Sequence, residues 1–217
     1  MKRQAGFTLV EIAIVLVIIG LLLGGVLKGQ ELIESAKVKN IAQDMRSISV
    51  AVLTYQDKYR ALPGDDRGAV ARWGAGTCDP ATKTTQGNGL IDSGSFADNA
   101  AGAGGTKSEP SCVWDHLRRA NLLTGDPGAG NPTHADAGVF SVVSASTSAA
   151  ITDTPGTLIV CGTNIRGRHV VPLDAMLDDG VVHTGAMRAI KSTTAGPSAA
   201  QSGAIDEGAG FLVCMGF

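Results

Sequence analysis

The sequence predicts an α+β protein in which one long N-terminal helix lies against a mainly antiparallel β-sheet. Two patterns indicate this architecture. Apolar residues fill positions 7–27 and then recur at alternating spacings of three and four up to residue 62, as they do along a continuous helix. Strand-like apolar runs follow from residue 138 onward, and helices followed by strands are typical of α+β folds.

The first element is the apolar segment 7–27, in which Glu11 is the single charged residue. As a helix this segment spans roughly 31 Å at about 1.5 Å per residue, which matches the roughly 30 Å hydrocarbon core of a bilayer. It is longer than the apolar part of a secretory signal, and no Ala-x-Ala cleavage site follows it. We therefore expect a membrane-spanning helix, most simply a plain anchor with Lys2 and Arg3 in the cytoplasm.

The second half of the helix, residues 29–62, is amphipathic. Mostly charged or polar residues separate its apolar positions, which are Val38, Ile41, Met45, Ile48, Val52, Tyr55, Tyr59 and Leu62. A helix over 7 to about 61 would be roughly 80 Å long. A coiled coil would use the same stripe, but the stripe covers only about three and a half heptads. The globular region that follows needs a helix to cover its sheet, so we expect the amphipathic helix to pack on the chain's own sheet.

Residues 63–217 are expected to form a globular head. Residues 74–111 are rich in Gly, Ala, Thr and Ser and show no period. The elements predicted around this segment are a short helix capped by Asp65 or Asp66 and ending at Trp73, a helix over 111–123 stopped by Gly125, and strands at 138–144, 157–163, 185–190 and 211–217.

Glu11 is the first candidate functional residue, because an ionised carboxylate in hydrocarbon costs several kcal/mol unless it is paired. It closes the segment Gly6-Phe7-Thr8-Leu9-Val10-Glu11, which follows a short basic leader. This junction resembles that of the type IV pilin and type II secretion pseudopilin superfamily, residue by residue over these six positions. The likeness continues as apolar character to about Leu27.

The resemblance implies a processing and assembly mechanism. A prepilin peptidase would cut between Gly6 and Phe7 and methylate the new amino group of Phe7. Glu11 would then pair with the Phe7 amino group of a neighbouring subunit. In low dielectric such a pair attracts strongly, and breaking a buried pair costs about 3 to 5 kcal/mol, so it would set the register between subunits.

The resemblance also implies a layout and partners. Residues 1–6 would be the leader, 7–28 the membrane and filament-core helix, 29–62 the amphipathic helix on the head, and 63–217 the head. The subunit would lie in the bacterial inner membrane with its head in the periplasm, then enter an extracellular or periplasmic filament. Its partners would be copies of itself, other pilins, the peptidase, and a platform protein with an assembly ATPase. Pilus subunit and secretion pseudopilin both remain open.

Many pilins carry a proline about twenty residues into this helix, and here there is none. Four glycines stand in the region instead: Gly20, Gly24, Gly25 and Gly29. They would either let the helix bend or melt, or allow close helix packing through the Gly20 and Gly24 pair. The sequence does not separate these two interpretations.

The cysteines are Cys78, Cys112, Cys161 and Cys214. An even number on the non-cytoplasmic side of a membrane predicts two disulfides, although four cysteines allow three connectivities. Cys78 with Cys112 is favoured because it would close the ends of the irregular segment. Cys161 with Cys214 is favoured because each lies in an apolar run, as adjacent strands would place them.

Asp174, Asp178 and Asp179 form an acidic group near Gly180. Some pseudopilins bind calcium in the head, so the resemblance suggests calcium here, although no known ligand set maps onto these positions. The alternatives are a solvated acidic turn or pairing with Arg166, Arg168 or Arg188.

Composition and motifs argue against catalysis and nucleic-acid binding. HExxH, GxSxG, phosphate-loop and dinucleotide motifs are absent from the sequence, and its histidines are scattered, so we expect no enzyme and no cofactor beyond the possible calcium. With 18 basic against 20 acidic residues and a net charge of -2, nucleic acid is not an expected partner. A membrane-anchored enzyme and a DNA-uptake minor pilin are the remote alternatives.

Overall fold

The computed structural model describes residues 8–74, 76–79, 86–92, 108–145, 151, 153–192 and 200–217. In chain order the elements are α1 (Leu9–Tyr59), α2 (Ala69–Trp73), α3 (Glu109–Arg119), β1 (Phe140–Ser144), β2 (Leu158–Arg166), α4 (Gly167–Leu177), β3 (Met187–Lys191) and β4 (Gly210–Gly216). The chain divides into two compact units, of which the first ends at Lys37 and the second begins at Val38.

The long helix α1 is confirmed as one continuous element of 51 residues. In its first part the large apolar side chains between Leu9 and Leu27 are each at least 46% exposed. This part is long and apolar enough to cross a membrane. The described residues leave this surface uncovered, and exposed apolar patches of this size mark contacts with membranes or with other proteins.

The second part of α1 carries the predicted apolar stripe, and most of that stripe is buried. Ile41, Met45, Val52 and Tyr55 are fully enclosed, whereas Tyr59 is partly buried. Their side chains share one core cluster with apolar residues of the strands and of α3 and α4. The amphipathic half of α1 therefore packs on the chain's own sheet. Its apolar stripe is buried there and does not form a coiled coil.

The sheet has four strands in the order β1-β2-β4-β3, and every neighbouring pair is antiparallel. Neighbouring residues along a strand point to opposite faces. Accordingly Val142, Val160 and Val213 belong to the core that the helices cover, while Val143, Ile159 and Leu212 belong to a smaller cluster on the other face. The α+β architecture is confirmed, with all four strands within three residues of their predicted bounds at either end.

Three local predictions are corrected by the structure. Neither Asp65 nor Asp66 caps α2, whose N-cap is Gly68 and which receives no side-chain cap. The next helix, α3, begins at Glu109 with a Ser108 capping box and ends at Arg119, well before Gly125. Asn121 adopts a left-handed φ of 59° just after it, so the chain turns without a glycine.

Candidate functional site

Glu11 lies in the first turn of α1, where it forms a reciprocal cap with Thr8. The Thr8 backbone N–H and hydroxyl both donate to Glu11 Oε2, each at 2.8 Å. The Glu11 N–H donates in turn to Thr8 Oγ1 at 3.2 Å. A Thr followed three residues later by Glu is the capping-box pattern, which satisfies two of the helix's unpaired N–H groups.

This cap fixes the position of the carboxylate. Oε2 takes both bonds from Thr8, and no residue in the described part of the chain donates to Oε1. The side chain is exposed among apolar neighbours such as Ile12 and Val15. The helix therefore presents one oriented acceptor within an otherwise apolar surface. Sequence reasoning singled out Glu11 but missed Thr8, although the Thr-x-x-Glu pattern could have identified it.

The proposed processing residues Gly6 and Phe7 lie outside the described residues. The structure begins at Thr8, and α1 starts one residue later. The assignment of cleavage and methylation to Gly6 and Phe7 therefore stays a prediction.

Both disulfides lie in the head. One joins Cys78 to Cys112 in α3, and the other joins Cys161 in β2 to Cys214 in β4. Cys161 and Cys214 are direct partners in the antiparallel register, with their Cα atoms 4.0 Å apart. The presence of two disulfides is confirmed, and the pairing in the structure is the one that the sequence favours.

His116 connects the Cys78 segment to the turn that follows α1. Its Nδ1 accepts the Gly64 N–H at 2.9 Å, so its Nε2 carries the proton and donates to the Cys78 carbonyl, also at 2.9 Å. The imidazole is fully buried, and burial lowers its pKa. His116 is thus a neutral structural residue.

His134, His169 and the adjacent arginines Arg118 and Arg119 also have partners within the head. His134 Nε2 lies 2.8 Å from the Thr163 carbonyl, and His169 Nδ1 lies 2.7 Å from Asp136 Oδ2. Arg118 is buried and donates to the carbonyls of residues 129 and 130, and Arg119 pairs with Asp115 at 2.8 Å. This arginine pair serves the fold and does not form an exposed phosphate-binding patch.

The acidic group lies where α4 ends. Asp174 is fully buried in the last turn, Asp178 is the C-cap residue, and Asp179 follows it on the surface. One carboxylate oxygen from each lies within 4.8 Å of those of the other two. Burial raises the pKa of Asp174 to about 6, helped by the charges of Asp179 and Asp178 and opposed by Arg188 and the Gly180 N–H.

Comparison with known families identifies the N-terminus. Residues 1–27 match the family described as the prokaryotic N-terminal methylation motif, which is the hallmark of type IV pilin and pseudopilin prepilins. No curated protein and no solved structure is similar enough to the chain to count as a match. The match covers the exposed apolar part of α1 and includes Thr8 and Glu11, whereas the head lies outside the matched residues.

Proposed function

We propose that this type IV pilin-like protein is a structural subunit of a type IV pilus-like filament, with no catalytic role of its own. The subunit is inserted in the bacterial inner membrane through residues 7–28. It is cut between Gly6 and Phe7, methylated on the Phe7 amino group, and polymerised through α1. The observation that carries the proposal is a helix whose apolar surface the described residues leave exposed, and which bears one oriented carboxylate, Glu11.

The apolar half of α1 supports insertion followed by assembly. Its side chains between Leu9 and Leu27 are exposed in the subunit, so lipid must cover them before assembly and other subunit helices afterwards. Lys2 and Arg3 place the short N-terminal end in the cytoplasm, which puts the head in the periplasm. Two disulfides in the head suit that oxidising compartment.

Glu11 aligns each incoming subunit. Removal of the leader frees an amino group at Phe7, and a neighbouring Glu11 offers the opposite charge in an apolar surrounding. The Thr8 N–H and hydroxyl each bond to Glu11 Oε2 at 2.8 Å, and Oε1 accepts no hydrogen bond from the described residues. An ion pair in that environment is strong, and its loss leaves an uncompensated charge among apolar helices.

The machinery implied by this mechanism acts in the membrane and from the cytoplasm. A membrane-embedded prepilin peptidase processes the leader. An assembly ATPase works in the cytoplasm through a platform protein, and other pilins join the same filament. The head remains on the outside of the filament because its core is closed by its own helices and sheet.

A complementation experiment in the native host tests the role of Glu11. Glu11→Ala should be cleaved normally but should appear in sheared filaments at no more than about a tenth of the wild-type amount, as expected from losing a buried pair. Glu31→Ala is the matched control, because Glu31 lies on the same helix with its side chain 70% exposed and forms a surface ion pair with Lys28. Normal assembly of processed Glu11→Ala subunits would exclude the alignment role.

Fractionation of the same strains separates the pilus subunit from a type II secretion pseudopilin. Abundant protein in sheared extracellular filaments supports the pilus. Purely periplasmic protein, together with a secretion defect on deletion, would assign the chain to the secretion system instead.

A further inference from the structure

The head exposes large apolar side chains in two separate places. Among the described residues from 38 onward, the exposed ones are Val50, Leu53, Val70, Val171, Met176 and Val181. Val50 and Leu53 lie together on α1, whereas Val171 and Val181 line a groove beside α4. Grouped apolar side chains on a surface mark contact sites, whereas a single one such as Val70 is ordinary.

The first surface is a ridge on α1 formed by Arg46, Val50, Leu53 and Asp57. Spacings of four, three and four place these residues on one face of the helix, and all four are exposed. Val50 is 63% exposed and Leu53 is 50% exposed. The ridge therefore presents two adjacent aliphatic side chains with a cation at one end and an anion at the other.

The second surface is a groove of about 600 Å³ between α4 and the segments 180–183 and 202–207. Val171 and Val181 supply apolar walls and are 44% and 43% exposed. The lining also includes Arg168 in the first turn of α4 and Glu207, and both of these residues are exposed. The groove is thus a concave apolar surface that carries one charge of each sign.

Backbone contacts hold the groove open before anything binds. The Gly167 N–H donates to the Ala209 carbonyl at 2.9 Å, and the Arg168 N–H donates to the Glu207 carbonyl at 3.3 Å. A Cβ at Gly167 would overlap the Asp206 carbonyl oxygen, so this segment lies directly against the start of α4. A surface shaped by the fold in this way binds without a large ordering cost.

The ridge and the groove complement each other, but the chain does not bring its own two surfaces together, since the aliphatic residues of both stay exposed. Identical subunits that join through two different surfaces assemble head to tail, and such contacts extend into an open helical filament when they do not close into a ring. The ridge also lies on the helix whose apolar half the proposed filament buries. A second copy of this chain is therefore the occupant that the groove fits.

We propose that the ridge of one subunit docks in the groove of its neighbour within the filament, an inference that rests on the proposed function. The aliphatic residues of the ridge contact Val171 and Val181, which removes apolar surface of both subunits from water. Asp57 of one subunit pairs with Arg168 of the next.

Asp57 is the charge of the ridge that is available to a neighbour. The Arg46 guanidinium donates to the Met176 carbonyl of its own chain. Asp57 lies 3.5 Å from Arg60, but these side chains are 81% and 84% exposed, so exchanging that surface pair for one with Arg168 costs little.

Cysteine crosslinking in the native host tests the contact. A chain that carries both Leu53→Cys and Val181→Cys is assembled, and its sheared filaments are treated with a mild oxidant. We expect a ladder of covalent multimers on a non-reducing gel that a thiol reductant collapses. Neither single variant should give the ladder, and neither should the control chain with Leu53→Cys and Val70→Cys, because Val70 belongs to neither surface.

The possible failures separate this inference from the proposed function. Filaments at the wild-type yield without a ladder, or an equal ladder from the Val70 control, would overturn the docking and leave the filament in place. A wild-type strain without filaments would overturn the proposed function and this inference with it.

Charge reversal gives a second measurement that needs no new cysteine. Asp57→Arg and Arg168→Asp should each lower the filament yield by up to about fivefold, as expected when one surface pair is lost, and the double variant should restore it. Lys58→Asp is the control, because Lys58 is exposed on another face of α1 and should leave the yield unchanged. A double variant that assembles no better than either single variant would contradict the pairing.

Discussion

Thr8 and Glu11 cap each other across the first turn of α1, the Thr8 N–H bonding to Glu11 Oε2 at 2.8 Å and the Glu11 N–H to Thr8 Oγ1 at 3.2 Å. The residue proposed to align subunits is thus also the residue that closes the helix end. The cap sets the direction of the carboxylate before another subunit arrives, which lowers the ordering cost of forming the pair between subunits.

Thr8→Val should reduce filament assembly, because it removes the hydroxyl that both caps the helix and bonds the carboxylate. Loss of such a cap costs about 0.5 to 2 kcal/mol. We expect less subunit in sheared filaments with cleavage retained, and recovery with Thr8→Ser. Thr54→Val is the control, since the Thr54 hydroxyl bonds within the same helix to the Val50 carbonyl at 2.7 Å. Assembly of Thr8→Val at the wild-type level would contradict the positioning role.

Single alanine substitutions at the glycines of α1 separate the two interpretations of that region. A Cβ at Gly20, Gly24 or Gly25 meets nothing within 4 Å, so each change should favour the helix in the isolated subunit by up to about 1 kcal/mol. If close packing explains the glycines, Gly20→Ala and Gly24→Ala reduce filament yield, whereas Gly25→Ala, on another face, does not.

We expect the packing result, because α1 is continuously helical through all of these positions. The readout is the ratio of filament to total subunit for each variant. An equal loss in all three would favour a bend or melted turn in the filament.

Stability of the head should fall as the pH drops below about 6.5, the ordinary histidine pKa. Burial lowers the pKa of His116, so the unfolded chain binds this proton more readily than the folded one. The stabilisation is therefore complete above the unfolded pKa and is lost as pH falls toward the lower folded pKa. The hydrogen bond to the Cys78 carbonyl and the charges of Asp115 and Asp66 oppose this lowering of the His116 pKa, and Arg72 adds to it. Burial lowers the pKa of His134 as well.

Denaturant unfolding of the full chain in detergent at pH 7.5 and 5 measures this effect. His116→Ala should cost about 1 to 3 kcal/mol at pH 7.5, because it leaves buried groups at Gly64 and Cys78 unpaired, and should flatten the pH dependence. His183→Ala, at an exposed position, should leave both unchanged. An undiminished pH slope in His116→Ala would assign the dependence to other groups.

Gly64→Ala should destabilise the head more than Gly89→Ala does. Both glycines have a left-handed φ, +91° and +83°, so either change costs about 1 to 2 kcal/mol in backbone strain. A Cβ at Gly64 would also overlap the Glu109 carbonyl oxygen, whereas one at Gly89 meets nothing within 4 Å. Equal free energies of unfolding for the two variants would show that the close approach of Gly64 to α3 does not affect stability.

The long helix and the four strands were predictable because their patterns are local and extend over many residues. Apolar spacing of three and four defines α1 up to Tyr59, and each strand is a short apolar run. The ends of the short helices were less predictable. Asp65 and Asp66 resemble helix caps in sequence, yet Asp65 accepts three backbone N–H groups from residues 87–89, which lie more than twenty positions away.

By itself the sequence determined the membrane-sized apolar helix, the carboxylate within it and the prepilin-type junction, since each depends on residues close together in the chain. Only the tertiary structure decided the strand order β1-β2-β4-β3, the neutral role of His116 and the burial of Asp174. The physical reason is that burial and counter-charge depend on groups that folding brings together from distant parts of the chain. The acidic group was visible as three aspartates, but the burial of Asp174 beside Asp178 and Asp179 appears only once α4 and its loop have packed together.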